Sequence, residues 1–334
     1  MKETFLYTLR AILPILLIIL LGCFVRRSGS CPDSFYKTLN QLCFKWFLPI
    51  HLFCNIYSVD SLSTMNWTVI GFGILSILFC FALGLLISRL FVRERSQKGV
   101  ITQATFRSNQ AILGIPLANA LGGETALAFA SMSTSVCVPL FNVLGVITLT
   151  IFSSDPEKKI SVRSLVRRVV TNPLIIGCLS GMLLVIIRQF IPTVDGVPVF
   201  TIKNQLPSVY QALTNLSKVA SPVMLFVLGT RLDFGAIPKL LPQLRLGIFM
   251  RLILCPLLVL GTAIVLREPL GLTTVEMPTL IAISATPVAV SSAVMVQEIG
   301  GDDQLASQLV VWSSALSMVT VFCIVWLMRT VGLL

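Results

Sequence analysis

Apolar runs of about twenty residues recur along this chain from one end to the other. At 1.5 Å per helical residue, each is long enough to cross a hydrocarbon layer of about 30 Å. They fall at 5–25, 34–58, 67–89, 98–121, 124–152, 172–191, 205–230, 243–266, 276–299 and 303–331. Ten such runs in 334 residues leave no room for a sizeable soluble domain. The composition agrees: 55% of residues are hydrophobic, 12% are charged, and the mean hydropathy is +0.92. The sequence therefore predicts an all-α polytopic membrane protein. The first run is too long in its apolar core for a signal peptide and has no small-residue cleavage site, so it reads as a retained span. The nine cysteines lie mostly within these runs without metal-ligand spacing, which predicts buried apolar side chains, no metal and no cofactor.

Lys and Arg set the orientation. With the N-terminus outside, the cytoplasmic segments collect fourteen of them, from the pair Arg26 and Arg27 to Arg245, and the outer segments five (Lys2, Arg188, Lys203, Arg267, Arg329). This predicts both termini outside, in a cell membrane. The net charge of +11 sits at span ends with no basic, aromatic-interleaved domain, which argues against nucleic acid and for anionic lipid headgroups. The polar stretch 153–171 is expected in the cytoplasm and divides the chain into five spans at 1–152 and five at 172–334.

The halves resemble each other. Leu121-Gly122-Gly123-Glu124 with Leu127-Ala128 recurs 178 residues later as Ile299-Gly300-Gly301-Asp302 with Leu305-Ala306, and Phe47-Leu48-Pro49 with Phe53 is echoed by Ala220-Ser221-Pro222 with Phe226. A five-span repeat has an odd number of crossings, so its second copy must enter the membrane inverted, as in secondary transporters. The fourth span of each half is interrupted, by SNQAILGIP at 108–116 and SATPVAVSS at 284–292. Proline within a helix removes a donor and clashes with the carbonyl one turn back. Two breaks in register predict discontinuous helices crossing near the midplane, where unwound backbone is tolerated if it lines a wet cavity. Helix N-termini there would offer free N–H groups to an anion, with Asn109, Gln110, Thr286, Ser291 and Ser292 adding neutral hydrogen bonds around Gly114, Pro116 and Pro287.

Asn109-x4-Gly114-Ile115-Pro116-Leu117 resembles the first crossover of the auxin efflux carrier family, which includes plant auxin exporters of the PIN type and bacterial malonate and malate carriers. Ala285-Thr286-Pro287, with Ser291-Ser292 and Glu298-Ile299-Gly300, is similar to its second crossover, and the similarity extends over the whole chain. The resemblance implies a fold akin to sodium–proton antiporters and bile acid symporters. It also implies a scaffold of spans 1, 2, 6 and 7, a mobile domain of spans 3–5 and 8–10, elevator-type alternating access, a homodimer through the scaffold, and Asn109 as a substrate contact. The second crossover departs from the family pattern, since Pro287 is followed by Val288-Ala289 and has no neighbouring Asn.

Six basic residues fall within spans, Arg10, Lys37, Lys45, Arg107, Lys218 and Arg251, while Glu124, Glu276 and Glu298 lie at or near span ends. A charge at bilayer depth costs roughly 2.5–3.5 kcal/mol on insertion scales, so such residues face protein, water or a span end. Lys45 and Lys218 could snorkel or bond helix carbonyls, or join Arg107 in drawing an anion inward. His51 and Asn55, one turn apart, share a face that could line the same cavity. Ser135 is expected beside them or in close helix packing. The pattern predicts a carrier of a small organic anion such as malonate, malate or an auxin-like acid. One histidine and no deep carboxylate argue against an enzyme and against a carboxylate-based ion-coupled carrier. The alternatives are a non-transporting receptor or sensor on the same fold and a sodium- or proton-coupled carrier of another solute.

Overall fold

The computed structural model describes residues 2–59, 66–152, 162–194, 197–233, 235 and 237–334, with side chains from Leu13 onward except at 162, 193–194 and 197–198. Its elements are helices apart from one hairpin of two-residue strands, Thr193–Val194 and Val197–Pro198. In chain order the helices are α1 (Lys2–Arg27), α2 (Asp33–Leu42), α3 (Leu48–Tyr57), α4 (Trp67–Phe91), α5 (Arg95–Phe106), α6 (Ile115–Ile151), α7 (Val162–Val170) and α8 (Pro173–Gln189). They continue as α9 (Ile202–Gln205), α10 (Pro207–Thr230), α11 (Ile237–Phe249), α12 (Cys255–Val265), α13 (Arg267–Leu270), α14 (Met277–Ser284), α15 (Val290–Ile299) and α16 (Asp303–Thr330).

Among the described residues, five helical runs are long and apolar enough to cross a membrane, and a sixth if α7 and α8, bent by 65°, count as one. That is fewer than the ten runs in the sequence: the helices over 98–121 and 276–299 are broken into shorter pieces, while 34–58 is helical throughout but less apolar, with Lys37, Asn40, Gln41, Lys45, His51 and Asn55 in it. Conversely, the run Gln110–Ile151 exceeds one span, and its backbone leaves the helix at Gly122 and at Gly123, whose φ is 65°. Gly300 and Gly301 turn the chain with φ of 116° and 140° at the matching place in the second half, where a side chain would be strained. Helix α11 begins six residues before the expected start at 243, since Pro238 occupies its first turn, where no N–H is needed. Part of the expected linker, 162–170, is helical as α7.

Three π-turns share a cause. Cys43–Phe47, Gln110–Gly114 and Met250–Leu254 each end two residues before a proline, Pro49, Pro116 and Pro256. A proline ring collides with the carbonyl four residues back, and widening the preceding turn to i→i−5 bonding moves that carbonyl aside. The bonds are Leu48 N–H to Cys43 C=O, Ile115 N–H to Gln110 C=O and Cys255 N–H to Met250 C=O.

Helices α1, α3, α8 and α10 pack as one group, α1 on α10, α10 on α3 and α3 on α8. Glycine permits the closest approaches. A Cβ on Gly22 would overlap the Phe226 carbonyl, one on Gly229 the Ile19 carbonyl, and one on Gly177 the Pro49 carbonyl, while one on Gly181 would lie 3.0 Å from the Phe53 carbonyl oxygen. Gly22 thus meets Phe226, and Gly181 meets Phe53, its counterpart in the other half. The outward faces are apolar, as on α4 with Leu75, Phe79 and Leu86 exposed, which suits lipid as the solvent.

The two interrupted helices face each other. Arg107–Asn109 leaves the helix between α5 and the second π-turn, extended at Arg107, and Ala285–Ala289 separates α14 from α15. The two stretches pair antiparallel at Ser108 and Val288, with Asn109 N–H donating to Pro287 C=O (2.9 Å) and Ala289 N–H to Arg107 C=O (3.2 Å). Ser313 of α16 accepts from Val288 N–H at 3.1 Å. The carbonyl ends left by both helices converge on buried Arg251. Its Nη2 donates to Ser284 (2.6 Å) and Ile283 (3.1 Å), its Nε to Thr286 (2.8 Å) and its Nη1 to Thr105 at the end of α5 (3.2 Å). A guanidinium matches this task, since it has five donors and its charge complements two helix C-termini. Arg251→Met should therefore destabilise the fold by about 3 kcal/mol or more, because buried carbonyls lose their donors. Arg251→Lys should fall between the two in a detergent-solubilised melt, and an unchanged midpoint in Arg251→Met would refute the clamp.

Candidate functional site

On the side of the crossing away from Arg251 lies a cavity of about 40 Å³. Leu48, His51 and Leu52 of α3 form one wall with Met224 of α10, and the crossing itself forms another through Arg107, Ser108, Asn109, Ala289 and Ser291. Ala111 and Ile112 with Val138, Phe141 and Asn142 of α6 close it. Most of the lining is apolar, and the polar groups concentrate at the broken backbone.

Arg107 is the one cation of this lining and is 2% exposed. It ends up inside because α5 stops at Phe106 and the extended residues that follow turn the side chain under α6 and α15. Its Nη2 donates to Asn142 Oδ1 (2.7 Å) and Ser291 Oγ (3.0 Å), and its Nη1 to Met295 Sδ (3.1 Å). All three partners are neutral. The ion pair found among the described residues, Arg26 with Asp33, lies elsewhere. A buried cation held by dipoles alone keeps a positive potential in its surroundings, which a carboxylate partner would have cancelled.

Beside it, Asn109 Nδ2 and Ser108 Oγ are buried without a hydrogen-bond partner among the described residues. Such groups cost about 1–3 kcal/mol each when left unpaired, so donors gathered beside a cation suit an acceptor with negative charge. The amides of 110–112 precede the first bond of their helix, Leu113 N–H to Asn109 C=O (3.0 Å), and add the positive end of a helix dipole.

Of the residues expected from sequence, Arg107, Asn109, Ser291 and His51 meet at this cavity. Gln110 is buried behind it, its Nε2 donating to Ser133 at 3.4 Å and its Oε1 unpartnered among the described residues. Thr286 turns its hydroxyl to Ala282 C=O (3.0 Å) and gives its carbonyl to Arg251. Ser292 is buried outside the lining. Gly114 lets the π-turn approach α14, where a Cβ would lie 2.9 Å from the Ala282 carbonyl oxygen. Pro116 and Pro287 shape the two breaks and do not line the cavity. Ser135 bonds Met132 C=O at 2.6 Å, within its own helix. Lys45 and Lys218 have exposed side chains and lie outside the lining, so any pull they exert on an anion acts at a distance. Arg10 falls among the residues whose side chains are not described.

His51 ties two helices together. Asn55 Nδ2 donates to its Nε2 (3.1 Å), and its Nδ1 faces the Ser217 carbonyl (3.2 Å) and hydroxyl (3.1 Å) on α10. With Nε2 accepting, the ring is neutral and its Nδ1–H donates to Ser217. Asn142 is the residue that sequence reasoning passed over. It orients Arg107 and also donates to Cys178 Sγ on α8 at 3.6 Å. It stood in the sequence as one more small polar residue of a span, and only the fold reveals it opposite a guanidinium 35 positions away. His51→Ala should destabilise the fold by about 1–2 kcal/mol for the lost bonds, read as a lower unfolding midpoint, and His51→Gln should destabilise it less. Equal losses in both would show that packing volume, not hydrogen bonding, is what His51 supplies.

Among curated proteins, none matches the chain. A family model described as membrane transport protein matches residues 7–325, nearly the full length. The chain therefore belongs to the membrane transport protein family, which includes the auxin efflux carriers.

Proposed function

We propose that this membrane transporter is a secondary carrier of a small organic anion, held at the crossing of its two broken helices and moved by elevator-type alternating access. The observation that carries the reading is Arg107: a buried guanidinium whose hydrogen-bond partners among the described residues are all neutral, beside an Asn109 Nδ2 with no partner among them, in a cavity whose lining is mostly apolar. That combination favours a carboxylate head at the crossing and a small organic body against Leu48, Leu52, Ile112 and Phe141.

The ten spans are read as two inverted repeats of five, at 1–152 and 172–334 on either side of the linker 153–171. The glycine-backed contacts of Gly22 with Phe226 and Gly181 with Phe53, and the paired glycine turns at 122–123 and 300–301, support this arrangement. The packing of α1, α3, α8 and α10 as one group supports a scaffold, against which the crossing and its supporting helices would move as a unit. The cavity lies between these two groups, where alternating access requires a site to be. A plasma or inner membrane location, termini outside and a dimer through the scaffold belong to the same reading.

Purified protein in liposomes should show saturable uptake of a labelled small carboxylate, malonate being the first to try. Asn109→Ala and Pro287→Ala should each reduce it at least tenfold. Arg107→Gln should abolish it, and Arg107→Lys should restore little, since an ammonium cannot bridge Asn142, Ser291 and Met295 in one plane. Undiminished uptake by Arg107→Gln would remove the anion from this site, and saturable binding with no flux would turn the reading into that of a receptor.

A further inference from the structure

Helix α7 has a division of faces that the transport reading does not use. At 100° per residue, Arg163, Ser164, Arg167 and Arg168 fall within one arc of its surface, and Leu165, Val166, Val169 and Val170 within the opposite one. The inner part of the apolar arc is engaged, since Leu165 and Val169 are half-buried and Val169 packs on the core. The outer part is not: Val166 and Val170 are 54% and 56% exposed. The three arginines are exposed as well. No acidic residue occurs between 162 and 172, and the described residues offer these arginines no ion pair.

Position decides what meets such a surface. The 65° bend at Thr171–Asn172 turns α7 away from the axis of α8, so that with α8 crossing along the membrane normal α7 would lie nearer the membrane plane. The Asn172 side chain caps α8 at Leu174 N–H (3.0 Å) and Pro173 opens it, which makes the bend a built corner. Beyond the corner, α8 exposes Ile176, Leu179 and Leu183 at helical spacing, an apolar stripe suited to lipid. A valine face at the acyl boundary with arginines above it fits the headgroup layer of a bilayer.

We propose that α7 is an interfacial helix that docks on anionic phospholipid, its valines in the acyl boundary and Arg163, Arg167 and Arg168 on the phosphate groups. Because α7 packs against both α6 and α8, lipid bound there stabilises the join between the two halves of the chain. The inference concerns the membrane surface and stands or falls independently of the anion site at Arg107.

The test uses the full chain in nanodiscs of phosphatidylcholine alone and with about one third phosphatidylglycerol. The anionic discs should raise the unfolding midpoint by several degrees, and 0.5 M salt should remove most of that rise, since exposed charges are screened. The triple variant R163Q/R167Q/R168Q should lose at least half of the rise, and R163K/R167K/R168K should keep it. Inorganic phosphate added to phosphatidylcholine discs should leave the midpoint unchanged. The proposal is overturned if wild type does not distinguish the two lipids or if the glutamine variant keeps the full rise. It is overturned equally if phosphate reproduces the shift, which would mark a site for a soluble anion.

Discussion

Two helices stop in the buried interior, and everything at the centre of this protein depends on how their backbone groups are satisfied. In hydrocarbon an unpaired N–H or C=O costs several kcal/mol, so a broken helix persists only if its ends find partners in the protein. Here the extended residues pair with each other between Ser108 and Val288, Ser313 takes one further amide, and Arg251 takes the carbonyls. The crossing is thereby a closed hydrogen-bonded unit on its carbonyl side. On its amide side it stays open toward the cavity, and this asymmetry gives the site its sign.

The two buried arginines illustrate the same chemistry put to opposite uses. Arg251 donates to four carbonyl oxygens and is consumed by structure. Arg107 meets an amide oxygen, a hydroxyl and a thioether, weaker acceptors that orient the guanidinium without neutralising it. Both border small cavities, but only beside Arg107 do buried polar atoms of the lining have no partner among the described residues. An anion entering there would gain most from the interaction that the protein itself leaves incomplete.

Much of this was legible from the chain alone. Apolar runs located the helices to within a few residues nearly everywhere, because a membrane imposes length and composition on each crossing. Pro116 and Pro287, 171 residues apart, marked both breaks, because proline's missing donor and fixed ring act locally. Asn109 and Arg107 were singled out by their proximity to those breaks, and both line the cavity. What escaped was the use of each polar side chain: Thr286 and Gln110 read as ligands but serve the backbone or the core, and Lys45 and Lys218 point outward. Side-chain direction depends on how a helix is rotated against its neighbours, and apolar periodicity is too weak in a span that is apolar all round to reveal that rotation.

The sequence by itself determined that the chain lives in lipid, where its helices run and where two of them fail, since hydropathy and proline chemistry are properties of residues and their immediate neighbours. Only the tertiary structure decided which arginine serves the backbone and which faces the cavity, and that Asn142 stands opposite Arg107. Those outcomes depend on groups from α5, α6, α14, α15 and the π-turn before Pro256 meeting around the crossing, and no local pattern in a single segment carries that information.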